Sequence, residues 1–393
     1  MRPATRKRTS ILLTCILTAA LLFGAFTVIA NAADIINPSG DPLGYRLKSD
    51  NTLAVLGFHD APVGTDLVIP GVVEYEGETY VVNEIAKKAF RGEEALESVT
   101  IPASVTAILD QAFENCKNLS EITFEGGSQL TKIGSGAFAA KDVAGVPAAI
   151  EELRLPASLT ELGEGAFHCK PVKTFILEDD SELAVIPRGF LAADGLDGRP
   201  GEGTESDSIF KRVIGEVKRF IQEFFEPTVS TPEDIAKACD SLESIYIGDG
   251  NSLELIDMGA FKNQTHLTEI YIGDGREDLV IGFGTFVAAG NNGFAASEGK
   301  EELGGIDTLI LPSNLAELEY CAFDSARIEN LVFSNGSAVT AIPDGFMEVG
   351  GYSFNARPGY HDEVFVNDPV QIGANSLKTI SFGENNKIEY IGP

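Results

Sequence analysis

Basic residues are scarce in this chain: 29 Lys and Arg stand against 59 Asp and Glu, a formal net charge of −30 over 393 residues. A field of that sign repels nucleic acid and anionic lipid and favours solubility. Histidine is scarcer still, with four residues (His59, His168, His266 and His361) far apart and in no shared motif. H-E-x-x-H, G-x-S-x-G, P-loop and Rossmann patterns are all missing, so nothing points to catalysis or to a nucleotide cofactor. Five cysteines are present, and no Cys or His pair has zinc-type spacing, so no metal is implied. IGDG at Ile247 and Ile272 places Asp249 and Asp274 at equivalent turns, but neither continues with the alternating ligands of a calcium loop.

Long uncharged runs are also rare, and the one at the start has a specific form. Arg2, Arg6, Lys7 and Arg8 precede an apolar stretch from Ile11 to Ala30, and Ala30-Asn31-Ala32 offers a small-residue cleavage site. Residues 1–32 therefore read as a signal peptide for export, the alternative being an uncleaved membrane anchor. Its removal takes four cations and no acid, leaving 29 − 4 = 25 basic residues against 59 acidic ones, or −34.

What the chain has in abundance is one phrase, written nine times. An apolar residue, two spacers, an apolar β-former, one spacer and another apolar residue begin at Leu96, Leu119, Ile150, Val172, Leu242, Leu267, Ile306, Ile328 and Leu377. Small-residue–Phe pairs intervene, ending at Phe90, Phe113, Phe138, Phe167, Phe190, Phe261, Phe286, Phe323 and Phe346. One such unit cannot bury its own apolar face, so the units must stack as a solenoid. The phrase strands are expected side by side in a parallel sheet of about nine, ~4.8 Å apart. Residues 33–82 lack the Phe pair and read as strand-like runs separated by turns, an N-terminal β cap shielding the first coil. The solenoid then occupies 83–393, with IEYIGP at Ile388 matching the lead-in to a further pair, so the sequence stops mid-repeat.

The unit resembles that of the BspA-like leucine-rich repeat family. IPASVTAILDQAFENCKNLSEITF, Ile101 to Phe124, matches the family repeat almost throughout, with Leu109 in place of the usual Gly. The resemblance implies a leucine-rich repeat solenoid, of the α/β class but β-rich. It also implies a bacterial surface or secreted protein, with adhesion or binding of host components described for some members. VIPRGF at Val185 and AIPDGF at Ala341 depart from the pattern by replacing the Ala of the pair with Gly.

Strand starts are separated by 23, 31, 22, 70, 25, 39, 22 and 49 residues, short and long in alternation. The likeness of ENLVFSNGSAVTAIPDGF (from Glu329) to KTFILEDDSELAVIPRGF (from Lys173) points to duplication of a four-coil block. The extra length always falls between the Phe pair and the next strand, giving insertions at 139–149, 191–241, 287–305 and 347–376. In a stacked solenoid these leave from one edge, which is either a binding edge or the product of neutral loop growth. Within the longest, Ile209, Phe210, Val213, Val217, Phe220 and Phe224 share one face of an expected amphipathic helix. That helix either engages a partner or membrane surface or docks on the solenoid.

Along each phrase the first, fourth and sixth residues point inward and the fifth outward. The outward column reads Thr100, Thr123, Arg154, Ile176, Tyr246, Tyr271, Ile310, Val332 and Ser381. Arg154, Tyr246, Tyr271, Ile310 and Val332 are the candidate ligand-binding residues, although good β-formers alone would explain such a column. Cys116, Cys169 and Cys239 each stand three residues before a phrase, as one station of a buried thiol ladder. The reading that follows is an exported, non-enzymatic solenoid that binds a protein or glycoprotein on a cell or matrix surface. Two alternatives stand beside it: a targeting arm for a catalytic domain beyond Pro393, or a structural spacer.

Overall fold

A computed structural model describes residues 35–59, 64–140, 146–193, 239–286, 305–323, 326–343, 346 and 377–392. The expected signal peptide, the six residues of the expected amphipathic helix, residues 141–145 of the first insertion and most of the other three insertions lie outside these. Among the described residues no helix is long and apolar enough to cross a membrane.

The repeated phrase builds strands because its β-branched and aromatic residues alternate between two faces. Inward residues such as Leu96, Val99 and Ile101, or Ile150, Leu153 and Leu155, are buried in one continuous core. All nine phrases form parallel strands, divided between two sheets. Ser98–Ile101 and Glu121–Phe124 follow the strand Asp66–Val68 in a three-stranded sheet. The other seven, from Ile150–Leu155 to Thr379–Phe382, form the second. The break falls where the first insertion enters, and it corrects the expectation of a single sheet.

A second ladder runs along the opposite side of the coils. Short strands after each Pro or Gly corner pair in parallel, from Ala107–Ile108 through Lys132–Ile133 to Glu161–Leu162, and again from Val185–Ile186 to Leu315–Leu318. At its N-terminal end this ladder continues into Glu78–Ile85 and Thr52–Phe58, which pairs antiparallel with Leu43–Leu47. Two-residue strands carry too little periodicity to be read from sequence.

Between the ladders the phenylalanines stack. Phe90, Phe113, Phe138 and Phe167 follow one another at centroid distances of 5.1, 5.1 and 4.8 Å, with interplanar angles of 12°, 3° and 12°. Each offset pair adds about 0.5–1.5 kcal/mol beyond the area it buries. At the two Gly-Phe coils the ring turns edge-on: Phe190 lies at 78° to Phe167 and 90° to Phe261, and Phe346 at 64° to Phe323.

The backbone gives the reason, and it corrects the simple Ala-to-Gly reading. Phe138 N–H donates to Ala166 C=O, whereas Phe167 N–H donates to Phe190 C=O and Leu191 N–H to Ala260 C=O. Phe190 thus occupies the station of the small residue, and buried Leu191 takes the usual Phe station. Phe346 repeats the shift, accepting from Phe323 N–H as Ala322 accepts from Phe286 N–H. A ring reaching the core from the neighbouring station must enter at a different angle.

The thiol ladder is corrected in the same way. Cys116 N–H donates to Phe113 C=O, and it is Lys170, not Cys169, whose N–H donates to the matching Phe167 C=O. Cys169 instead takes the left-handed station of Asn115 and Asn263, with φ of 54° against 63° and 62°. This coil is one residue shorter between Phe and strand, so Lys170 is carried inward to 2% exposure. Among the described residues its amine reaches only the Cys116 carbonyl, at 3.5 Å, and burial pulls its pKa down to about 8.

Candidate functional site

The seven-stranded sheet holds its strands in one register. Arg154 pairs with Ile176, Ile176 with Tyr246, Tyr246 with Tyr271, Tyr271 with Ile310, Ile310 with Val332, and Val332 with Ser381. Four candidate residues, Tyr246, Tyr271, Ile310 and Val332, therefore form one unbroken file together with Ile176. Tyr246, Tyr271 and Ile310 remain 38%, 41% and 53% exposed, high values for side chains of this size on a sheet.

The two tyrosine rings stack at 4.9 Å and 11°, so each covers one face of the other. Their hydroxyls are anchored to the turn that follows the preceding coil's strand. Tyr246 donates to Asp179 Oδ1 at 3.2 Å, and Tyr271 to Asp249 Oδ1 at 2.9 Å. The hydrogen bond to Asp249, followed by loss of solvent, pushes the Tyr271 phenol up to about 12; burial and then Asp179 raise Tyr246.

These aspartates form a file of their own. Asp179 accepts from Asp249 N–H at 3.2 Å, Asp249 from Asp274 N–H at 3.1 Å, and Asp274 from Ser313 N–H at 2.7 Å. Each carboxylate thus caps the turn of the next coil. The turn has no room for a Cβ: one added at Gly248 would lie 2.3 Å from Asp179 Oδ1, and one at Gly273 2.5 Å from Asp249 Oδ1. The glycines of the two IGDG turns are what let the acids stack. This acidic flank extends to Asp179 the equivalence of Asp249 and Asp274 that the two IGDG motifs show in sequence.

Arg154, the remaining candidate, stands at the N-terminal end of the file but is engaged by its own strand. Its Nε and Nη2 bond Glu152 Oε1 at 3.1 and 2.9 Å, which neutralises the cation locally. On the other side of the file run Glu152, Thr174, Ser244 and Glu269, again in register. The surface is an aliphatic and aromatic stripe bounded on both sides by acids. Beside its C-terminal end Asp274, Ser313, Val332, Asn335 and Ser381 border a shallow hollow of about 470 Å³. Among the described residues no three His, Cys, Asp or Glu side chains meet as a metal cluster.

Comparison with known proteins places the repeat. A model of the BspA type leucine rich repeat region matches in six copies, over residues 83–190 and 225–286. No curated protein matches the sequence. Among solved structures, a leucine-rich repeat protein from Bacteroides ovatus is 17% identical with a TM-score of 0.44, the match covering 91% of this chain and 79% of that one. A leucine rich cell surface protein from Faecalibacterium prausnitzii is 16% identical, TM-score 0.32, covering 88% of this chain and 94% of its own. A leucine-rich repeat protein from Bacteroides capillosus is 24% identical, TM-score 0.29, over 37% of this chain and 98% of its own. The phrase strands, the stacked Phe column and the matched repeats show that this chain carries BspA-type leucine-rich repeats over residues 83–190 and 225–286.

Proposed function

We propose that this protein is exported to the bacterial surface and there binds a protein or glycoprotein partner through the outer face of its seven-stranded sheet, without catalysis. The observation that carries this reading is the unbroken file Ile176, Tyr246, Tyr271, Ile310 and Val332, held in register and left open. Aromatic residues with anchored hydroxyls on a rigid backbone lose little entropy on binding, which suits them as contact residues.

The surroundings support one partner chemistry over others. Asp179, Asp249 and Asp274 on one side and Glu269 on the other, in a chain of net charge −30, complement cations. Each tyrosine has one face covered by the other, which leaves ring edges and aliphatic groups for contact rather than an open platform for sugars. The fitting ligand is an extended protein segment carrying aliphatic and cationic side chains. The basic n-region and apolar run of residues 1–32 support export.

The test is surface plasmon resonance of the full chain over a panel of immobilised matrix glycoproteins with basic segments. Tyr246→Ala combined with Tyr271→Ala is expected to weaken capture by about tenfold or more, as truncation of an aromatic anchor does. Raising the ionic strength is expected to slow association. If the double variant binds like the parent while deletion of 194–238 abolishes binding, the insertion edge and not the sheet is the contact surface.

A further inference from the structure

We propose that Cys169 and Cys239 are joined by a disulfide that closes the stem of the longest insertion. The described chain breaks after Ala193, whose N–H donates to Lys262 C=O, and resumes at Cys239. Cys169, Ala193 and Cys239 meet there as a small buried cluster apart from the main core. The Cys239 thiol lies 2.9 Å from the Cys169 carbonyl oxygen, to which it donates.

The coil geometry suits the bond. Adjacent parallel segments stand about 4.8 Å apart, and a disulfide spans Cα separations of roughly 4.4–6.8 Å. The pairing is also selective. Cys116 donates to Phe90 C=O, toward the preceding coil. Cys321 lies several coils away, before Ala322 and Phe323, at a left-handed station of its own with φ of 56°. The one-residue shortening that moved Cys169 off the station of Cys116 therefore left it beside the returning chain. Joining the two closes a loop of 239 − 169 = 70 residues, which removes far more freedom from the unfolded chain than from the stacked coils.

The step balances as two thiol–disulfide exchanges with a small disulfide oxidant such as oxidised glutathione. The Cys239 thiol loses its proton and its sulfur attacks one oxidant sulfur; a mixed disulfide forms and one reduced glutathione leaves. The Cys169 sulfur, losing its proton in turn, attacks the Cys239 sulfur and releases the second glutathione. Two protein thiols are oxidised by two electrons, and one small disulfide is reduced. In the finished coil the contact with Cys239 and burial both hold the Cys169 thiol up, so exchange belongs to folding, before the cluster closes.

The experiment is refolding of the full chain in a glutathione redox buffer, alkylation in denaturant, and peptide mapping by mass spectrometry with and without reduction. The expected result is a Cys169–Cys239 crosslinked peptide two hydrogens lighter than the sum of its parts, with Cys116 and Cys321 alkylated. Recovery of both Cys169 and Cys239 as alkylated thiols overturns the proposal, as does a Cys116–Cys239 link. Cys239→Ser is expected to leave Cys169 alkylated or glutathionylated, never joined to Cys116. Because the parent chain gives the decisive map, a variant that fails to fold changes nothing.

Discussion

The first coils and the middle coils are built on the same inward pattern and present different faces. Leu96, Val99 and Ile101 are buried as completely as Leu242, Ile245 and Ile247. Yet the outward position holds Thr100, Thr123 and the self-neutralised Arg154 in one region and Ile176, Tyr246, Tyr271, Ile310 and Val332 in the other. Period-two alternation separates the two roles: the fold depends on one face, and the other is free to vary. What a ligand meets is thus decided by residues that contribute little to the core.

The largest test of that separation strikes the inward side. Phe138 is 2% exposed between two stacked rings, and Phe138→Ala is expected to cost about 3–5 kcal/mol in denaturant unfolding. A loss no larger than that of a surface change would mean the Phe column is not what holds the coils.

Next in size is the buried Lys170. Its folded pKa of about 8 lies below its ordinary 10.5, so the unfolded chain binds the extra proton between those values. Stability should therefore rise as pH climbs from about 8 to 10.5, and Lys170→Met should remove that rise and stabilise the neutral protein by on the order of 2–3 kcal/mol. Urea unfolding of both proteins across this range checks it; a parent curve no steeper than the variant's would show the amine to be solvated.

The smallest effect is expected on the outward side. Thr100→Ile with Thr123→Tyr carries the apolar column into the first coils, and thermal unfolding should move by no more than about 0.5 kcal/mol equivalent. A larger shift would show that the two faces are coupled after all.

Much of the scaffold could be read in advance because each phrase repeats its own burial pattern. The outward file was legible for the same reason: once the fifth position is known for one strand, parallel stacking gives its neighbours. The side-chain contacts across coils were not. Asp179 meets Asp249 N–H from 70 residues away, and the file of acids that anchors the tyrosines exists only because Gly248 and Gly273 leave no Cβ between turns. Arg154 looked like an available cation until Glu152, two residues earlier on the same face, took it up.

By itself the amino-acid sequence determined the solenoid, its stacking direction and which residue of each strand faces out, since periodic burial admits one arrangement. Only the tertiary structure decided which residues share a station. Counting from the strand placed Cys169 with Cys116, and counting from Phe placed Phe190 with Phe167; a hydrogen bond within the coil set Lys170 in the first place instead, and hydrogen bonds between coils set Leu191 in the second. Turns absorb a missing or added residue without disturbing the ladders on either side, so position along the chain and position in the stack part company wherever a coil changes length.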